Sequence, residues 1–217
     1  DAFETFYSWA SVLIADFNEI DRFLIDPEVF FEHRKALKEV DYFGEEKTEM
    51  IKSYIRFWED MPKYYNQLRL HLQQKKNAYQ GLAYRQASEN IGQFLDKNTK
   101  PITFLGFNAL NSAEEFIIES CLKRGQTKIG WDIDKSFLEE RQHPSNTFIK
   151  KYQKKWGTYQ NSFIELTTDT YKDKKDIQIL SSPKSIGQAK SVAEILKEMS
   201  ERELENTAII LNDENLL

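Results

Sequence analysis

The chain has 217 residues, enough for one large or two small domains with a sizeable core. Its net charge of -5 excludes a coat of basic surface, though not a local nucleic-acid track. One cysteine excludes an intramolecular disulfide framework, and with only 3 histidines a Cys/His zinc site is not expected. No apolar run is long enough to cross a bilayer and no signal peptide is visible, so a cytoplasmic, reducing setting is expected.

The first 98 residues read as helical. Phe3, Phe6, Ala10, Leu13, Phe17, Ile20 and Leu24 recur in steps of three and four, which puts them on one helix face. Asp26 and Pro27 form a helix start, with Asp as N-cap and Pro at the first helical position. Residues 28–40 follow, and Gly44 breaks the pattern. Residues 47–59 resume it, with Met50, Ile51, Tyr54, Ile55 and Trp58 inward. Asp60 and Pro62 read as another start, leading into Tyr64, Leu68 and Leu72. A further helix spans 79–95. The aromatic stripe of this half is expected to be core.

Residues 97–101 are a polar break, after which short apolar runs alternate with helices. Strands are expected at 102–105, 128–133, 163–166, 177–180 and 208–211. Ser112 with Glu115 is expected to box the start of a helix over 113–123 that buries Ala113, Phe116, Ile117 and Cys121. Ser185 with Gln188 repeats the device for a helix through Met199, with Ala189, Val192, Leu196 and Met199 inward. Strands alternating with helices predict a mainly parallel sheet with crossover helices. The expected fold class is therefore α/β, with a helical subdomain at 1–98 and an α/β region at 99–217. The chain lacks an initiator Met and closes on a strand and turn, so it is expected to be an internal piece of a longer protein.

Candidate chemistry is sparse. The 8 glycines are scattered, and neither GxxxxGK[ST] nor GxGxxG occurs. No Ser/His/Asp or Cys/His arrangement has supporting context. Asp132 and Asp134 end the second strand, where open α/β sheets place ligands. They read either as a Mg²⁺-binding pair or as a strand end followed by an N-cap for residues 135–141. Residues 142–164 hold no Asp or Glu. Together with Arg141 this stretch carries Lys150, Lys151, Lys154 and Lys155, interleaved with Phe148, Tyr152, Trp156 and Tyr159. Cations beside rings suit single-stranded nucleic acid, the cations meeting phosphates and the rings meeting bases. The same pattern also describes an amphipathic helix with a solvated lysine face.

The order of elements resembles the helicase-like region of the AddB/RecB/RecC class, helicase–nucleases that process broken DNA ends. AddB-like proteins with a PD-(D/E)XK nuclease domain are the nearest in kind. TFYSW at 5–9 looks like the TFHSF segment of superfamily 1 helicases. FNEIDRFLID at 17–26 and YQGLAYR at 79–85 look like phrases of AddB-like relatives. LGFNALN at 105–111 occupies the place of the DExQD motif, the magnesium and water-activating site. There Gly106, Phe107 and Asn108 give a degenerate motif, Gly106 and Phe107 standing where active members carry Asp and Glu. Residues 131–134, WDID, take the place of GDxxQ, with Lys135 or Ser136 at its glutamine. Residues 181–194 and 207–217 look like entry into a second motor domain from about 176.

The resemblance implies a RecA/P-loop-like, superfamily 1 helicase-like fold that is incomplete in this piece. It implies a DNA-handling scaffold without an intact motor site, in a parent that acts in double-strand break repair and recombination. ATP, Mg²⁺, a nuclease site, DNA ends as substrate and an AddA-like partner subunit are implied for the parent only. No catalytic residue and no cofactor is expected in the fragment, and no membrane. An active ATP-dependent motor using Asp132 or Asp134, and a non-enzymatic protein-interaction module, are the alternatives.

Overall fold

The computed structural model describes residues 2–41, 49–140 and 143–212. Gly44, Arg141 and residues 213–217 lie outside the described residues, as do the side chains of Phe3, Thr5, Phe6, Ser8, Met50, Ile51 and Tyr54. The protein is α/β, mostly helical, with one small parallel sheet. It divides into two units, Asp1–Tyr171 and Lys172–Leu217.

The first unit begins with four helices: α1 (Ala2–Arg22), α2 (Pro27–Asp41), α3 (Glu49–Gln74) and α4 (Gln80–Lys97). The three-and-four spacing on α1 does bury Phe17 and Ile20. They meet Phe31 of α2 and Met61 and Tyr65 of α3 in one core. The Phe17 and Tyr65 rings meet edge to face, 5.2 Å apart. Helix α1 stops before Leu24, which takes a left-handed φ of 52°, while the Ile25 N–H donates back to the Ile20 carbonyl at 3.0 Å. Leu24 therefore does not continue the apolar face. Asp26 caps α2 as its sequence foretells, Oδ1 accepting from the Glu28 N–H at 2.9 Å.

Asp60 and Pro62 do not start a new helix. Helix α3 runs through them with Pro62 inside. A proline removes one helical N–H, but Met61 and Tyr65 on either side are fully buried. That packing holds the helix together, and Asp60 bonds Lys63 one turn on instead of capping.

After α4 come β1 (Ile102–Leu105), α5 (Ser112–Arg124), β2 (Thr127–Asp134), α6 (Lys135–Glu139), α7 (Thr147–Lys155) and β3 (Phe163–Thr168). The strands are parallel in the order β1-β2-β3. Ile129, Trp131 and Ile133 project from one face of β2. They pack with Ile118 and Leu122 of α5 and with Ile149, Tyr152 and Trp156 near α7. Both crossover helices thus lie against the same face. Helix α4 packs on α1 and on α5, so the helical and sheet parts form one unit despite the polar break at 97–101.

The capping box of α5 sits one residue earlier than its sequence suggests. Asn111 accepts from the Glu114 N–H, and the Glu114 carboxylate accepts from the Asn111 N–H, each at 2.9 Å. In the second unit, α8 (Ser185–Lys197) and α9 (Glu201–Glu205) form. The Ser185–Gln188 box does not, because Lys184 is the N-cap and its side chain makes no cap bond. A box on Ser200 and Glu203 opens α9 instead. Residues 177–180 and 208–211 are not strands. Ile179 and Ile210 are 91% and 92% exposed, and an isolated apolar run has no neighbouring backbone to complete a ladder.

Candidate functional site

Strand β1 delivers the chain to Gly106, whose φ of +72° suits glycine and turns the backbone away from the sheet. Phe107 then folds back into the core. Its ring lies 5.7 Å from Trp131 and 6.2 Å from Tyr152. Asn108 is exposed. The Leu110 N–H donates to the Tyr152 hydroxyl at 2.9 Å, fixing the loop before α5. The exit of β1 is therefore plugged by a phenyl ring.

Asp132 and Asp134 point away from the aromatic core, and only one of them is open. Asp132 is exposed, and its carboxylate makes no hydrogen bond among the described residues. Asp134 caps α6, Oδ1 accepting from the Ser136 N–H at 2.9 Å. Its Oδ2 accepts from the Thr170 and Tyr171 N–H groups at 2.8 and 2.9 Å. Partial desolvation pushes this carboxyl up, but those backbone donors outweigh it and hold it well below the usual range. Both oxygens are already engaged, so the capping reading fits Asp134 better than that of a Mg²⁺ ligand. Among the described residues no group of three His, Cys, Asp or Glu side chains converges as a metal site would require.

Helix α7 forms where the periodicity puts it, and its two faces separate. Tyr152 and Trp156 are 0% and 1% exposed and stack on each other at 5.0 Å. They are core, and the expectation that they stack on bases is corrected: a ring held between β2 and α5 cannot meet a nucleotide without unpacking the sheet. The lysines do lie outside. Lys151 and Lys155 each donate to Glu115 of α5 at 2.7 Å. Burial pushes the Glu115 carboxyl up, and the two ammoniums beside it prevail and hold it below its ordinary value. The Lys150 ammonium donates to the Glu140 carbonyl at 2.6 Å. Lys154 is exposed with no partner among the described residues.

A buried polar cluster joins α1, α3 and the start of α4, outside every candidate chemical motif of the sequence. Asp21 is completely buried. Its carboxylate accepts from the hydroxyls of Tyr65 and Tyr79 at 2.5 Å and from the Arg85 guanidinium. Arg85 also donates to the carbonyls of Ile20 and Ile25, at 3.1 and 2.6 Å. Burial, then the hydrogen bond to Asp21, pushes both phenols far above their usual range. Nearby, the Gly81 N–H donates to Asn18 Oδ1 at 2.7 Å. A Cβ on Gly81 would lie 2.2 Å from the Asn18 carbonyl oxygen, so α1 and α4 approach closely only because Gly81 has none. The phrases at 17–26 and 79–85 thus face each other across one interface. Pairing two conspicuous phrases was the available signal.

An apolar groove of about 800 Å³ lies between α1, α2 and α3, lined by Trp9, Val12, Phe17, Phe31, Phe57 and Tyr64 among others. Arg34 lies over the Trp58 ring at 5.4 Å within it. None of the described helices is long and apolar enough to cross a membrane.

No protein-family model, no curated protein and no solved structure matches this chain.

Proposed function

We propose that this chain is the helicase-like segment of a DNA-end-processing helicase–nuclease of the AddB-like kind, and that it holds DNA without driving it. On this reading the sheet is part of a RecA-like, superfamily 1 helicase-like domain, and ATP, Mg²⁺, the nuclease site and an AddA-like subunit belong to the parent assembly. The observation that carries the proposal is the exit of β1. The position that resembles a motor's magnesium motif holds Gly106, Phe107 and Asn108, and the Phe107 ring is packed against Trp131 and Tyr152. Phosphoryl transfer relies on positioned charge and metal, and a phenyl ring offers neither. The order β1-β2-β3 also contains no reversal, and open α/β sheets bind ligands at such a reversal.

DNA contact in this scheme is electrostatic, through the outer face of α7. Lys150 and Lys154 lead, because Lys151 and Lys155 must first leave Glu115. Fluorescence anisotropy with a labelled single strand over a salt series tests it. Two phosphate contacts predict a log–log salt slope of about -1.4. No binding at about 50 mM salt, or binding unchanged in Lys150→Ala with Lys154→Ala, refutes the α7 track.

The groove between α1, α2 and α3 favours a second reading, a module that docks a partner subunit through its aromatic lining. Size-exclusion chromatography with the partner subunit, with and without DNA, separates the two.

A further inference from the structure

Asp134 does more than cap a helix. The β2–β3 ladder ends at the pair Asp134 and Thr168, because β2 turns there into α6. Beyond that pair the backbone of β3 has no strand carbonyl to bond. The Asp134 carboxylate supplies the missing acceptor. Its Oδ2 accepts from the Thr170 and Tyr171 N–H groups and, at 3.3 Å, from the Thr168 hydroxyl. The Tyr171 ring then rests on Phe137 of α6, centroids 4.2 Å apart, and Phe137 also meets His143 at 4.6 Å. Tyr171 is the last residue of the first unit, and residues 172–184 form no helix or strand.

We propose that Asp134 is a clasp that fixes where the chain leaves the first unit, and that it sets the length of the tether to the second. With the clasp closed, the tether begins at Lys172. With it open, residues 169–171 join the tether, adding about 10 Å of reach when extended. The clasp is independent of any contact with DNA. It gives the chain a conformational device at the C-terminal edge of the sheet, worked by one carboxylate.

Asp134→Asn separates the two duties of the side chain. Asparagine is as good an N-cap as aspartate, but it has one acceptor oxygen and no charge. Amide exchange followed by NMR on the whole chain reads each duty directly. The Thr170 and Tyr171 amides are expected to exchange at least about tenfold faster in the variant, with the Ser136 amide unchanged. Tryptic cleavage after Lys172 accelerates in parallel, and Thr168→Val gives a smaller acceleration. Unchanged exchange at Thr170 and Tyr171 overturns the proposal. So does faster exchange spread through α5 and β2, which would make Asp134 an ordinary stabilising residue.

Discussion

Arg85→Met removes the cation from the buried cluster and keeps a side chain of similar length. Asp21, 0% exposed, then holds a charge with only two tyrosine hydroxyls for company. The carbonyls of Ile20 and Ile25 lose a donor as well. Breaking a buried pair from one side costs about 3–5 kcal/mol, so about 4 kcal/mol is expected. In a unit of this size that lowers the melting temperature by roughly 8–16 °C. All 4 tryptophans lie in the first unit. Urea unfolding followed by their fluorescence therefore reports this unit alone, and the midpoint should fall at constant slope. Asp21→Leu combined with Arg85→Met removes both charges together. Its cost should fall short of the summed single costs by at least about 2 kcal/mol. A loss under about 1 kcal/mol for Arg85→Met, or single costs that simply add, refutes the view that this pair locks α1 to α4.

Gly81→Ala forces a methyl to within 2.2 Å of the Asn18 carbonyl. It should cost about 1–3 kcal/mol in the same urea assay, because backbone and not a flexible side-chain tip must move. Tyr152→Phe leaves the Leu110 N–H without its acceptor. It should cost about 1–3 kcal/mol of stability while leaving single-strand affinity intact; affinity lost without stability would make the Tyr152 hydroxyl a nucleic-acid contact. Glu115→Ala frees Lys151 and leaves Lys155 only its longer contact to Glu119, at 3.7 Å. Single-strand binding should strengthen at low salt and its salt slope steepen by about 1.4. The Glu115 carboxyl is held low in the folded state. Its stabilising effect is therefore present above the ordinary value of 4.5 and lost as pH falls through its lower folded value. The stability gap between wild type and Glu115→Ala should accordingly close in acid.

Local chemistry made several elements legible. Asp26 with Pro27 marked α2, Gly106 marked the end of β1, and the spacing of Phe148, Tyr152 and Trp156 marked α7, although Ile149 and not Phe148 completes its buried face. The same spacing could not say whether that aromatic face meets solvent or sheet. That outcome depends on α5 and β2 arriving opposite it, which is a tertiary event. In the sequence pattern Glu115 fits a cap one residue late, and the start of α5 at Ser112 leaves it to Lys151 and Lys155. Asp21 and Arg85 are 64 residues apart, and no periodicity links them. The apolar runs at 177–180 and 208–211 look like strands one by one, yet a strand exists only with a neighbour.

Phe107 does more than leave the exit of β1 without a carboxylate. The ring has become a wall of the core shared by β1, β2 and α7. Phe107→Asp would set a charge against Trp131 and Tyr152 and remove the contacts that fix the loop before α5. The side chain is half-buried, so about half the full cost of deleting a core phenylalanine applies, about 2 kcal/mol. A motor site that had merely lost its acid would respond differently: the new carboxylate at the strand exit would bind Mg²⁺, and the ion would stabilise the variant by mass action. Thermal melts of wild type and Phe107→Asp with and without about 10 mM Mg²⁺ distinguish the cases. The packing predicts destabilisation that Mg²⁺ does not repair. Selective rescue of the variant by Mg²⁺ would show that the metal site is latent, and that the exit of β1 is still shaped for one.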